Sequence, residues 1–172
     1  MIARVAALVA GAMIVTACGG DGDGDGNDGP LRPRLDQIAP AVEAVEAELG
    51  GPQQYFEIKA EPQQVQLFVA AENATEVVPY VFIGGELAAL GEPTGASGGT
   101  FMADALELDP DTVFGQIDAD LDEPDIIELS IAGDRGGSGA VEYLAVVQSE
   151  EGGTLDVVLG PDGAVRSVAP SG

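Results

Sequence analysis

With no histidine, and with Cys18 as its sole cysteine, this chain has no means of building a Ser-His or Cys-His nucleophilic pair. A zinc ion would likewise find neither its usual nitrogen nor its usual sulfur ligands. What the chain has in abundance is carboxylate: 30 aspartates and glutamates against 6 lysines and arginines. Two carboxylates flanking a glycosidic bond can hydrolyse it, one as acid and the other as base or nucleophile. In so acidic a chain, however, some pair always falls at a suitable distance, and the absence of tryptophan removes the flat platforms that sugars favour. Lys59, the sole lysine, could serve a serine as base, but it stands in the run Tyr55-Phe56-Glu57-Ile58-Lys59-Ala60, where strand alternation makes it an outward-facing residue. The residue types therefore predict no catalytic site, no cofactor and no enzyme activity.

The N-terminus carries a different chemistry. A short basic stretch, Met1 to Arg4, leads into the apolar segment Val5 to Val15, and the small residues Thr16 and Ala17 precede Cys18. That order is the one a secretory signal has, and the apolar run is too short to span a hydrocarbon core of ~30 Å, which needs about 20 residues. The quartet Val15-Thr16-Ala17-Cys18 resembles the bacterial lipobox, in which an aliphatic residue and two small ones precede the cysteine that becomes residue one of a lipoprotein. The resemblance implies that residues 1–17 are a signal peptide and that Cys18 is lipidated. It also implies that fatty acyl groups such as palmitate hold the protein at the cell membrane or envelope, on its extracytoplasmic side. Two or more acyl chains are what stable anchoring requires.

Residues 18–30 follow as the acylated cysteine and a Gly/Asp-rich tether, flexible through its glycines and extended by its like charges. Asp21, Asp23, Asp25 and Gly26 fall at positions one, three, five and six of a calcium loop of the EF-hand type. Position twelve, which should be a bidentate glutamate, is Arg32, and Cys18 lies too close for a helix to precede the loop, so no metal is predicted. The net charge of −24 argues against nucleic acid as a partner, because phosphate affinity comes from clustered lysine and arginine. An anionic membrane surface would repel the same charge, which leaves attachment to the lipid on Cys18.

Stepping along the chain, Leu35, Ile38, Val42, Val45 and Leu49 recur at helical spacing, with Asp36 as a cap and Gly50 as a stop. Asp109 and Pro110 open a second helix whose apolar face is Val113, Phe114, Ile117 and Leu121. The dipeptide Leu-Asp begins both, at Leu35-Asp36 and Leu108-Asp109, 73 positions apart. Strand-like runs follow each in the same order: Tyr55 to Ala60 and Ile126 to Ile131, Val65 to Ala71 and Val141 to Val147, Val78 to Ile83 and Thr154 to Leu159, Glu86 to Leu90 and Ala164 to Val168. From Val65/Val141 through Gly84/Gly160 the offset stays at 76, which reads as an internal repeat. The expected fold is α+β, two tandem αββββ units, each an antiparallel sheet with one helix packed across it. The first unit is placed at 31–90 and the second at 101–172, with a linker at 91–100.

The segment Leu155-Asp156-Val157-Val158-Leu159-Gly160-Pro161-Asp162-Gly163-Ala164-Val165-Arg166-Ser167-Val168 resembles the closing hairpin of PepSY-type domains. The helix-then-sheet order of each half is similar to that family and, as a duplicated pair, to the secreted beta-lactamase inhibitor proteins. This chain departs from the latter in lacking disulfides. The resemblance implies a non-catalytic binding, interaction or inhibitory module of the cell envelope, with an envelope protein as partner. Its contact surface is expected on the helix-free side of a sheet or at the loops Gly133 to Gly139 and Glu150 to Gly153; no individual binding residue is assigned. A carrier of an apolar ligand is the alternative, with Ala41, Ala44, Ala60 and Ala70 leaving room between helix and sheet. A carboxylate-dependent hydrolase is a more distant one.

Overall fold

The computed structural model describes residues 30–121, 124–148 and 152–171. The signal segment, Cys18, the tether up to residue 29, and Glu150 and Glu151 of the expected contact loop lie outside the described residues. A 3-10 turn, Leu35–Gln37, leads into α1 (Ile38–Leu49), followed by β1 (Gln54–Ala60), β2 (Val65–Ala71), β3 (Glu76–Ile83) and β4 (Glu86–Ala89). Short strands β5 (Thr94–Gly95) and β6 (Phe101–Met102) precede α2 (Pro110–Asp120). The chain closes with β7 (Ile126–Gly133), β8 (Val141–Gln148), β9 (Thr154–Leu159) and β10 (Val165–Pro170).

The expected pair of tandem αββββ units, each with its own sheet, is not what forms. Among the described residues all ten strands join one antiparallel sheet in the order β10-β9-β8-β7-β1-β2-β3-β4, with β5 on β3 and β6 on β1, and two short α-helices pack against it. The junction is β1 with β7, in register from Glu57 opposite Ala132 to Ala60 opposite Leu129. A meander's first strand has an unpaired edge of N–H and C=O groups; joining two such edges satisfies both and leaves no open strand in the middle of the molecule.

The helices cover one face of this sheet. Ile38, Ala41, Val42 and Val45 of α1 and Val113, Phe114 and Ile117 of α2 are buried in one core with Tyr55, Ile58, Leu67, Leu129, Ile131, Tyr143, Val157 and Leu159. Gly50 ends α1 in the left-handed region at φ 84°, donating its N–H to the Glu46 carbonyl. Asp109 caps α2, its carboxylate accepting from the Thr112 N–H at 2.9 Å. Asp36 does not cap α1: the helix starts at Ile38, and the Asp36 side chain turns back to pair with Arg34 at 2.7 Å. Leu49 and Leu121, expected on apolar helix faces, are exposed at helix C-termini.

Bulges interrupt β1 between Tyr55 and Glu57 and β7 between Ile126 and Glu128. Each inserts one residue, so the spacing between successive core residues is three instead of two: Tyr55 to Ile58 and Ile126 to Leu129. Past the bulge Glu57 and Glu128 take their place on the face away from the helices, opposite neighbours that face the same way.

Candidate functional site

A sheet with one face in water ordinarily alternates apolar inward and polar outward. Here the outward positions break that rule. Along β3, Tyr80 and Phe82 are buried against the helices, while Val77, Pro79 and Val81 alternate with them and are half-buried on the opposite face, where Ile83 follows, 51% exposed. Phe68 and Ala70 of β2, Leu144 and Val146 of β8 and Val158 of β9 occupy the same face by the same alternation. Among the described residues no helix or strand covers this side.

The register aligns these side chains in rows across the sheet. One row runs Ala88, Val81, Gln66, Lys59, Ser130, Leu144, Val158, Ser167 from β4 to β10. The next runs Pro79, Phe68, Glu57, Ala132, Glu142, and a third, on the other side, Glu128, Val146, Asp156, Ala169. Of the five charged residues in these rows, Glu57, Lys59 and Glu128 lie at the β1–β7 junction, while Glu142 and Asp156 stand farther out among the apolar side chains of β8 and β9.

At the junction the Lys59 ammonium lies 3.4 Å from Glu128 Oε1 and 3.7 Å from Glu57 Oε1. The Ser130 hydroxyl donates to Glu57 Oε1 at 2.5 Å. Burial works to lower the Lys59 pKa, but the charges of Glu57 and Glu128 and their hydrogen bonds outweigh it and hold the ammonium above its ordinary value. A lysine base needs the opposite shift. Although Ser130 sits directly across from Lys59, its hydroxyl is turned to a carboxylate, and the two do not form a Ser-Lys dyad. Glu57 and Glu128, the carboxylate pair nearest this lysine, share one counter-ion.

The remaining expectations fall elsewhere. The loop from Gly133 to Gly139 is organised by Asp134, whose carboxylate accepts from the N–H groups of Gly136 at 3.1 Å and Ser138 at 2.8 Å. Ala41 and Ala60 are fully buried and close-packed, and Ala44 packs on the core from its edge. Ala70 lies on the helix-free face, opposite Val77, so these alanines do not outline a ligand cavity between helix and sheet. A cleft of about 480 Å³ opens instead at the end of the sheet, between Arg34, Gln37, Pro62, Gln64, Phe82 and Ile83. Its one cation, Arg34, is engaged bidentately by Asp36 at 2.8 and 2.7 Å. Among the described residues no group of three or more metal-ligating side chains converges, and no helix is long and apolar enough to cross a membrane.

The apolar outward face was within reach of the sequence. The runs Val77-Val78-Pro79-Tyr80-Val81-Phe82-Ile83 and Tyr143-Leu144-Ala145-Val146-Val147 are continuous rather than alternating, the pattern of strands covered on both sides. The junction was not within reach, because its partners lie 69 and 73 residues apart.

No protein-family model matches the chain, and no curated protein does, so the PepSY resemblance gains no support there. Among solved structures, the chain is similar to a crystal structure from Clostridium difficile 630, described as a candidate lipoprotein. The TM-score is 0.52 at 12% identity, covering 81% of this chain and 99% of that one. At that identity the likeness is one of fold.

Proposed function

We propose that this protein is a lipoprotein of the bacterial cell envelope, anchored by acyl groups on Cys18, and that its body is a non-catalytic interaction module that docks an envelope protein on the helix-free face of the sheet. The lipobox-like Val15-Thr16-Ala17-Cys18 supports the anchor, and so does the fold shared with a protein described as a candidate lipoprotein. The observation that carries the docking reading is the second apolar face: Val77, Pro79, Val81, Phe68, Leu144, Val146 and Val158 are spread over strands whose other side already forms the core. Apolar side chains gathered on a second face of a sheet, beyond those its core needs, favour a site of contact there.

The test has two arms. Cys18→Ala should move the protein from the membrane fraction to the soluble fraction; retention in the membrane would count against the anchor. Photo-crosslinking residues placed at Val81 and Leu144 of the full-length protein in its own cells should give discrete protein adducts, and one at exposed Glu43 on α1 should give none. If Val81 and Leu144 give no adducts, or no more than Glu43, the docking reading falls.

A further inference from the structure

We infer that the partner of the helix-free face is a cationic polypeptide segment, basic at its middle and apolar to either side, which lays its charge over the Glu57–Lys59–Glu128 junction. The inference rests on the docking reading above and adds the chemistry of the occupant.

Three kinds of occupant can be weighed by charge. An uncharged apolar surface would strip water from three ionised side chains at the centre of the contact. It would leave them with bridges of 3.4 and 3.7 Å, well beyond the 2.7–2.9 Å of a strong charge-assisted bond. A second copy of the chain would bring Glu57, Glu128 and Glu142 against the same set, between chains each of formal net charge −24, and like charges facing one another in a closing interface are strongly unfavourable. A cation supplied from outside does the reverse. The junction holds two carboxylates for one ammonium, and exposed Glu142 stands one row position beyond Ala132. A lysine or arginine over it therefore completes the balance that burial requires.

The spacing fits a polypeptide. Val81 on β3 and Leu144 on β8 each lie two strands from Lys59 on β1, about 10 Å at the usual strand separation, and the row from Val81 to Val158 spans about 24 Å. That is the length of a helix of about 16 residues or a strand of about 7. The overall negative field would also speed the approach of such a segment and make its association fall with salt.

The experiment uses the full-length protein in detergent and three synthetic amphipathic peptides of one apolar pattern, with lysine, serine or glutamate at the central positions. Fluorescence anisotropy should give the lysine peptide at least a tenfold lower Kd than the serine peptide, with no binding of the glutamate peptide and a loss of affinity as salt rises. Glu128→Gln and Glu142→Gln should each weaken the lysine peptide several-fold, while Glu43→Gln, which removes the same charge from the exposed side of α1, leaves it unchanged. Equal binding of the serine peptide, no binding of any peptide, or an equal effect of Glu43→Gln would overturn the inference, as would sedimentation showing self-association that Leu144→Asn abolishes. If those results came with crosslinks intact from Val81 and Leu144, only the cationic partner would be wrong; if the crosslinks failed too, the docking reading would go with it.

Discussion

At the residue scale two tyrosines in one core make opposite demands on the same hydroxyl. Tyr143 accepts from the Glu107 N–H at 2.8 Å and donates to the Glu107 carbonyl at 2.9 Å, pinning the segment that leads into α2. Tyr55 is fully buried with its ring against Phe101, 6.0 Å between centroids, and among the described residues its hydroxyl has no partner. Tyr143→Phe should therefore cost about 1–2 kcal/mol of stability and Tyr55→Phe should gain about 1 kcal/mol, read from urea unfolding midpoints. Burial raises the pKa of both phenols and of Tyr80, with the charges of Glu46 and Glu48 adding to it at Tyr55 and Tyr80. Lys59 is raised as well. For a group raised in the folded state the stabilisation is complete below its unfolded pKa, about 10 for tyrosine and lysine, and is lost as pH climbs through the folded value. Stability should accordingly be flat across neutral pH and fall steeply above about pH 10, with phenolate absorbance appearing together with unfolding; phenolate formation at pH 10 in a still-folded protein would contradict this. Alternation along a strand was enough to place Lys59 outward. Its partners were not legible, because Glu128 and Ser130 reach it through a strand pairing that no local pattern encodes.

Elements here meet at glycines that admit no side chain. Gly99 and Gly133 form a bridge so close that a Cβ on Gly133 would lie 2.6 Å from the Gly99 backbone, and one on Gly99 would lie 1.9 Å from the Asp134 carbonyl oxygen. Gly163, in the β9–β10 turn at φ 73°, presses on the first turn of α2, where a Cβ would meet the Thr112 oxygen at 1.7 Å. Gly133→Ala and Gly163→Ala should each destabilise by about 2–4 kcal/mol in denaturant melts. Gly115, exposed in α2 with open space around it, is the contrast: Gly115→Ala should stabilise by about 0.5–1 kcal/mol through helix propensity alone. Helix ends at Gly50 and Asp109 could be read in advance because cap chemistry is local. The end of β4 could not. It stops at Ala89 beside Pro79, whose carbonyl still accepts from the Leu90 N–H at 2.8 Å but whose ring nitrogen returns no hydrogen bond.

On the scale of the whole molecule, two halves that look self-contained in sequence share one sheet and one core. Helix-then-strand order was visible in the spacing of apolar residues, but which edges would meet was not, since each half offers similar strands and the choice is made by long-range pairing. Because β1 and β7 are buried neighbours in the centre, the halves should unfold together. Circular dichroism and tyrosine fluorescence should trace one coincident transition, and Ile131→Ala, fully buried next to the junction, should lower it by about 2–5 kcal/mol without splitting it. The N-terminal segment ties into both halves. The Leu31 N–H donates to Asp125 at 2.6 Å, Arg32 pairs with Asp118 at 2.7 Å, and the Arg34 N–H reaches the Glu61 carbonyl at 3.2 Å. A pull exerted through the N-terminus, as on a moored object held at its far side, is therefore divided between the two halves where they meet and does not prise one from the other.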